Sequence, residues 1–233
     1  ELFEDRQLSN DCKAAEKKLV KAASKVYKKF LASCPAPDAP GSKQVTALMT
    51  ITGLIDAPKA DKEFLSINGA QGFSTFYGYY MLEAMAMAGN YQGALDVIRE
   101  YWGAMIDLGA TSFWEDFDIN WIPNAAPIDE LVPEGKKDIH GDCGAYCYVG
   151  FRHSLCHGWA SGPTSWLSRH ILGVEVIEPG CRQVRITPHL GDLQWVKGTF
   201  PTPYGELQIY HEKQANGNVI SEVKAPKGVS VIK

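Results

Sequence analysis

The sequence lacks the features that mark several large classes of protein. Its 233 residues carry a net charge of −4, and no sustained basic stripe occurs outside the first predicted helix. We therefore expect no nucleic-acid partner, because phosphate recognition needs clustered lysine and arginine. No apolar run approaches the length needed to cross a bilayer, so we expect no membrane partner either.

Cysteine is also scarce. Six cysteines in a chain of this length do not define a disulfide scaffold. Cys12 and Cys34 bracket a helix that would hold them too far apart to bond to each other, and we expect free thiols. No signal-peptide pattern opens the chain, which begins Glu-Leu-Phe rather than with Met. We interpret it as a processed or excised segment, so the missing signal says nothing about where the parent protein is located.

Helical periodicity is present from the start to about residue 173. A lysine-rich helix is followed by a short one after Ser42 and by one near 76–87 that is apolar over most of its circumference. Asn90 is placed to cap the next helix, which Gly109 ends. Together with a last short helix before residue 173, this pattern predicts a mainly α region over residues 1–178.

After the last helix the hydrophobic period becomes two. Val184 and Ile186 alternate with polar neighbours, residues around Leu207 do the same, and Asn216-Gly217 is a strong hairpin turn. The pattern predicts a β tail, a small domain at residues 179–233.

One segment between the helices places carboxylates among aromatic rings. Glu115 lies between Trp114 and Asp116 directly after a helix end, and further aromatic residues follow. Such surroundings suit a carboxylate that must meet the apolar face of a sugar and a water molecule. The alternative is an ordinary half-buried loop, since aromatic rings pack and acids near them are often only solvated. The long region from residue 116 to 162 has few regular signals and is typical of a site-forming loop.

Further motifs accompany this segment in a fixed order. They are Gln71-Gly-Phe-Ser-Thr-Phe-Tyr-Gly-Tyr-Tyr80, Gly109-Ala-Thr-Ser-Phe-Trp-Glu115, Ser154-Leu-Cys-His-Gly-Trp-Ala-Ser-Gly162, Glu178-Pro-Gly-Cys-Arg-Gln-Val-Arg-Ile-Thr-Pro188 and Pro203-Tyr-Gly-Glu-Leu207. From about residue 40 to its end, the chain resembles the C-terminal part of the family 78 α-L-rhamnosidases. The resemblance implies the C-terminal part of an (α/α)₆ six-hairpin barrel followed by a small, jelly-roll-like β-sandwich domain. It also implies hydrolysis of terminal α-L-rhamnose with inversion.

The same resemblance implies roles for individual residues. Glu115 stands in the position of the family's general base, and His157 stands where the family has a histidine that touches the sugar. The expected substrate is a rhamnose-containing glycan or glycoside, with no cofactor and no metal. The other expected substrate-binding residues lie in or beside the matching motifs: Tyr77, Trp114, Asp116 and Trp159.

The chain departs from the family in one respect. The family's general acid belongs to an acid-rich motif with no counterpart here, and about five helices are present where a six-hairpin barrel needs twelve. We therefore expect the C-terminal piece of a larger enzyme, with the rest of the catalytic barrel upstream. Alone, the piece should release no rhamnose, because losing general acid–base assistance typically costs ~10²–10⁴-fold. We expect the parent protein to be extracellular or periplasmic.

Other interpretations of the same residues remain open. Arg152 and His153 could bind an acidic substituent, and Cys156 and His157 could form a nucleophilic pair, although adjacent residues rarely point at each other. The chain could be a non-catalytic carbohydrate-binding or scaffolding protein, or a six-hairpin glycosidase for another sugar. A zinc site is a further hypothesis, because possible ligands crowd into a short stretch of the chain. Their spacing is unlike that of familiar structural zinc sites. These residues are His140, Asp142, Cys143, Cys147, His153, Cys156 and His157.

Overall fold

A computed structural model of the chain describes residues 5–33, 36–37, 39, 41–144 and 150–232. Helices form its first part and most of the strands form its last part, so the expectation of a mainly α chain with a β tail is confirmed in outline. Within these residues, no helix combines the length and the apolar character that a membrane span requires.

Three of the α-helices in the described residues continue directly into a π-helical turn. The bounds of the α-helices are α1 (Arg6–Ser33), α2 (Ser42–Ile51), α3 (Ala57–Ala60) continuing into Asp61–Leu65, α4 (Gly78–Met87), α5 (Tyr91–Val97) continuing through Ile98–Trp102 into α6 (Gly103–Asp107), and α7 (Gly162–Trp166) continuing into Leu167–Ile171.

The helical hairpin of α4 and α5 forms where the sequence predicts it. The Asn90 side chain accepts a hydrogen bond from the Gly93 N–H at 3.0 Å and so caps the first turn of α5. Gly109 ends α6 with a φ of 90°, a left-handed conformation that favours glycine. The predicted cap and the predicted stop are both confirmed.

Helix α4 lies at the centre of the helical core. Its apolar side chains are buried around most of its circumference, and α2 and α7 both pack against it. From α7, the indole N–H of Trp166 donates to the Leu82 carbonyl oxygen at 3.0 Å, and the Trp166 side chain is fully buried. The loops that directly precede α4 and α7 carry residues of the candidate site.

The buried face of α2 is polar. The Lys43 side chain is buried and donates from Nζ to the Gly69 carbonyl oxygen at 2.7 Å, and the buried Thr50 hydroxyl donates to the Thr46 carbonyl oxygen at 2.8 Å. Leu48 and Ile51, which supply apolar character to this helix, are exposed instead. In the part of the chain that the structure describes, α2 therefore presents an apolar strip to solvent.

Two three-stranded sheets make up the β region. The strands of the described residues are β1 (Ala125–Ala126), β2 (Lys137–Asp138), β3 (Val174–Val176), β4 (Gln183–Ile186), β5 (Trp195–Thr202), β6 (Gly205–Lys213), β7 (Val219–Lys224) and β8 (Ser230–Ile232). One sheet has the order β3-β4-β8, with β4 and β8 parallel, and the other has the antiparallel order β5-β6-β7. Side chains of both sheets meet in one hydrophobic cluster, to which Val184 and Leu207 contribute.

The junction between the two parts lies near Gly173. Strand β3 begins at Val174 and pairs with β4, so strand structure starts ahead of the boundary predicted after residue 178. His211 of β6 is fully buried and contacts the Leu172 carbonyl oxygen through Nε2 at 3.1 Å. Burial lowers the pKa of His211, and the contact with the Leu172 carbonyl opposes this shift. These contacts join the β region to the end of the last helix.

Candidate functional site

The candidate site is built where two loop segments run side by side. The Glu115 N–H donates to the Ser154 carbonyl oxygen at 2.8 Å, and the His157 N–H donates to the Phe113 carbonyl oxygen at 2.7 Å. The first segment follows α6 and the second precedes α7. This short backbone ladder brings the predicted base and the predicted sugar-contacting histidine to the same place, although 41 residues separate them in the sequence.

The Glu115 carboxylate is held at one oxygen. Its Oε2 accepts the Ser154 N–H at 2.9 Å, while its Oε1 lies 3.7 Å from His157 Nε2. The side chain of Glu115 is 16% exposed and that of His157 is 34% exposed. The carboxylate is therefore oriented by the protein and still reaches solvent, as a group that exchanges a proton with water must.

The main-chain carbonyl of Glu115 is held as well. It accepts a hydrogen bond from the Thr75 hydroxyl at 2.5 Å and another from the Trp159 indole N–H at 2.7 Å. The Trp159 ring lies 4.1 Å from the His157 ring and 5.5 Å from the Phe76 ring, measured between centroids. Trp159 thus joins the carboxylate segment, the histidine and the aromatic start of α4.

The loop that carries Thr75 is anchored by two charged side chains, the buried Lys43 and the exposed Glu100. Lys43 donates to the Gly69 carbonyl oxygen, and Glu100 Oε2 accepts the Ala70 N–H at 3.0 Å. Gly69 has a φ of 53°, and a Cβ built on it would lie 2.6 Å from Glu100 Oε2, so glycine permits this close approach. The anchored loop presents the Thr75 hydroxyl to the Glu115 carbonyl.

Two side chains considered as ligand contacts, one expected and one an alternative, are buried in the structure. Trp114 is 0% exposed, packs edge-on against Phe117 and His153, and belongs to the core rather than to a substrate surface. The neighbouring Glu115 side chain is 16% exposed. His153 is 1% exposed and therefore does not reach an acidic substituent, whereas Arg152 is exposed.

Asp116 and Tyr77 lie at the margins of the site. Asp116 is half-buried, and the pKa of Tyr101 is raised well above its ordinary value by burial and then by the charges of Asp116 and Asp118. Tyr77 is exposed and contacts the rings of Phe76 and Tyr80 at the start of α4, with centroids 5.0 and 6.3 Å away. Contact of Asp116 and Tyr77 with a substrate remains a prediction.

A groove of about 890 Å³ opens next to the site, between the helices and the β region. Trp159 lines it and so connects it to Glu115, and Phe76, Tyr79 and Tyr80 form an aromatic wall. Tyr79 and Tyr80 both lie between the buried residues Gly78 and Met81 of α4, and helical periodicity alone does not separate a groove-lining ring from a packing one.

The described cysteine and histidine residues of the long loop do not form a metal-binding cluster. Among the described residues, no three His, Cys, Asp or Glu side chains come together in a group that could hold a metal ion. The Cys156 thiol accepts a hydrogen bond from the Ser112 hydroxyl at 3.3 Å. Cys147, which the zinc hypothesis included, and Cys34 lie outside the described residues, whereas the described cysteines are free thiols.

Comparison with known proteins agrees with this architecture. Residues 173–232 match the family model of the bacterial alpha-L-rhamnosidase C-terminal domain. The solved GH78 family rhamnosidase of Bacillus sp. GL1 has 26% sequence identity and a TM-score of 0.61, and the match covers 81% of this chain and 18% of that one. No curated protein sequence matches the chain significantly.

Two further solved structures show the same fold. The alpha-L-rhamnosidase of Aspergillus terreus has 20% identity and a TM-score of 0.63, covering 81% of this chain and 21% of that one. The Streptomyces avermitilis alpha-L-rhamnosidase, solved in complex with L-rhamnose, has 18% identity and a TM-score of 0.60, and the match covers 81% of this chain and 17% of that one.

The helices, paired loop segments and β tail together resemble part of the fold of solved glycoside hydrolases. More specifically, the resemblance to the C-terminal part of the family 78 α-L-rhamnosidases is confirmed. The chain spans only about a fifth of the length of these relatives.

Proposed function

We propose that this chain is the C-terminal portion of an inverting glycoside hydrolase that removes terminal α-L-rhamnose, with Glu115 as its general base. In this proposal the helical part belongs to an (α/α)₆ barrel and the two sheets form a small, jelly-roll-like β-sandwich. The observation that carries the proposal is the Glu115 carboxylate, which is fixed at Oε2 by the Ser154 N–H and still reaches solvent.

The geometry of Glu115 suits a base that activates water. In an inverting glycosidase the base removes a proton from water as the water attacks the anomeric carbon, while an acid ~6.5–9.5 Å away protonates the leaving oxygen. Because Oε2 accepts the Ser154 N–H, we assign the water to Oε1, which faces His157. His157 Nδ1 accepts the Trp159 N–H at 3.4 Å, so Nε2 carries the proton in the neutral ring and can donate to a sugar hydroxyl.

We propose that the general acid comes from a barrel segment upstream of this chain. The relatives are about five times longer, and the α2 strip with Leu48 and Ile51 is exposed here, as expected where neighbouring helices of a barrel would pack. The chain alone should therefore self-associate in size-exclusion chromatography, and Leu48→Glu with Ile51→Lys should reduce this. A monomer at all concentrations would count against the missing segment.

Rhamnose is the proposed sugar, because the Streptomyces avermitilis relative was solved with L-rhamnose. His157 and Trp159 are the proposed sugar contacts closest to the base, with Tyr77 and Asp116 farther out. The chain alone should release no p-nitrophenol from p-nitrophenyl α-L-rhamnoside, since it lacks the acid. Measurable turnover by the purified chain would overturn this division of roles.

The role of Glu115 can be tested once the chain is joined to an upstream barrel segment. Glu115→Ala should lower turnover ~10²–10⁴-fold, whereas alanine at the exposed Glu130 should leave turnover unchanged. Proton NMR should show the β-anomer of L-rhamnose as the first product, as inversion requires. Normal turnover by Glu115→Ala, or α-anomer formed first, would refute the assignment. Binding of L-rhamnose by a joined protein that has no turnover would instead favour a non-catalytic carbohydrate-binding protein.

A further inference from the structure

His153 is a buried histidine beside the candidate site that the proposed reaction does not use. Its side chain is held edge-on between two indoles, with ring centroids 6.5 Å from Trp114 and 6.1 Å from Trp121. Only 1% of the residue is exposed. The ring therefore has one fixed orientation, and it does not meet substrate.

Both ring nitrogens of His153 contact main-chain groups. Nδ1 lies 3.3 Å from the Ile139 carbonyl oxygen, and Nε2 lies 3.2 Å from the Asp116 nitrogen. A carbonyl oxygen only accepts, so Nδ1 carries the proton. Nε2 is then the acceptor for the Asp116 N–H. The ring thus has one donor nitrogen and one acceptor nitrogen, and both have a main-chain partner.

The Asp116 N–H belongs to the peptide group that directly follows Glu115. On the other side, Ser154 follows His153, accepts the Glu115 N–H at its carbonyl oxygen and donates its own N–H to Glu115 Oε2. The His153 ring therefore adds a third link to the same two-residue pairing. With it, both peptide groups that flank the Glu115 side chain are bound to the segment of residues 153–154.

We propose that His153 is a positioning residue that fixes the Glu115 carboxylate through the Asp116 peptide. Without the Nε2 acceptor, the Asp116 peptide keeps the hydrogen bonds that Thr75 and Trp159 donate to its carbonyl oxygen. Its N–H side is then less constrained, and the hydrogen bond from Ser154 to Glu115 Oε2 weakens. The catalytic meaning of this role rests on the proposed function, because it matters for turnover only if Glu115 is the base. The contact itself exists or fails independently of that role.

Substitutions can separate the two contacts of His153. Asparagine places an amide N–H near the position of Nδ1 and can reach the Ile139 carbonyl oxygen, but it is too short to reach the Asp116 N–H. Glutamine places an amide oxygen near the position of Nε2 and can accept the Asp116 N–H. His153→Asn should therefore release Glu115, and His153→Gln should hold it.

The test uses the ¹⁵N-labelled 233-residue chain and the amide proton resonance of Ser154. This resonance reports the hydrogen bond to the Glu115 carboxylate, and Glu115→Gln supplies its position when the carboxylate is replaced by a neutral amide. We expect His153→Asn to move the Ser154 resonance toward the Glu115→Gln position and His153→Gln to leave it near the wild-type position. The matched control is His211→Asn, which removes contacts of a different fully buried histidine.

The outcomes separate a positioning role from a structural one. If His153→Asn leaves the Ser154 resonance at its wild-type position, or if His211→Asn moves it equally, the positioning role is refuted. Should His153→Asn not fold, a displaced Ser154 resonance in His153→Gln would refute the role in the same way.

Turnover then links the contact to chemistry. In the chain joined to an upstream barrel segment, His153→Asn should lower kcat by up to about 10²-fold with KM nearly unchanged, since small displacements of a catalytic group have effects of this size. If Glu115→Ala keeps turnover, the proposed function fails while the Ser154 result stands. If Glu115→Ala loses turnover and His153→Asn does not, only the positioning role fails.

Discussion

The Glu115 carbonyl oxygen offers a quantitative test of the site, because two side chains donate to it. Thr75→Val removes the hydroxyl donor and Trp159→Phe removes the indole donor. Each single change leaves the carbonyl with one partner, and the loss of the other hydrogen bond should lower the free energy of unfolding by about 1 kcal/mol. The double variant leaves a partly buried carbonyl with neither donor, a situation that costs about 1–3 kcal/mol on its own.

The double variant should therefore lose more stability than the sum of the single variants. We expect an excess of about 1 kcal/mol, measured by urea unfolding followed by circular dichroism. Trp159→Phe also loses buried apolar area, but this loss is the same in the single and the double variant and therefore cancels in the comparison. Trp166→Phe combined with Thr75→Val is the matched control, because the Trp166 indole donates to the Leu82 carbonyl oxygen instead, and these changes should add. Additivity within about 0.5 kcal/mol for the Thr75 and Trp159 pair would refute the shared acceptor.

Two further predictions concern the junction with the β region. Gly173 and Gly53 both have a φ of 72°, but a Cβ on Gly173 would lie 2.3 Å from the Thr187 backbone, whereas Gly53 faces open space. Substitution by alanine should therefore lower the free energy of unfolding by about 1 kcal/mol at Gly53 and by clearly more at Gly173, measured by urea unfolding. Equal losses at the two positions would contradict the close approach at Gly173. The pKa of His211 is lowered by burial, so the unfolded chain binds its proton more tightly and stability should fall as the pH drops below about 6.5, by at most ~1.4 kcal/mol per pH unit. His211→Gln should flatten this dependence in urea titrations between pH 8 and 5, and an unchanged slope would exclude His211 as its source.

The order of the helices and strands could be predicted from the sequence, because caps and periodicity are local signals. The predicted helix cap at Asn90 and the predicted helix end at Gly109 are confirmed for this reason. The buried face of α2 could not be predicted in the same way. Lys43 is buried because it donates to Gly69, 26 residues further along the chain, and no window of sequence around α2 contains that partner. Hydrophobic periodicity selects Leu48, which the described part of the chain leaves exposed.

The site was predictable only in part. The resemblance singled out Glu115 and His157, and the structure brings them within 3.7 Å of each other; their roles remain proposals. Besides the Trp159 indole, the groups that hold Glu115 are main-chain atoms of Ser154 and the hydroxyl of Thr75, and these two partners have no signature in the sequence. Trp114 was mistaken for a surface ring because an irregular segment has no period from which to read the direction of its side chains.

The backbone ladder between the two site segments also determines how the length of the loop between them can change. Because Glu115 and His157 are joined by main-chain hydrogen bonds on either side of the long loop, the spacing of the two side chains does not depend on the length of chain between them. For a flexible loop each doubling of length costs only about 0.6 kcal/mol in closure entropy. Insertions in the exposed stretch at residues 130–136 could therefore accumulate, and new contacts for the rest of a substrate could evolve there, while the spacing of the paired side chains stays constant.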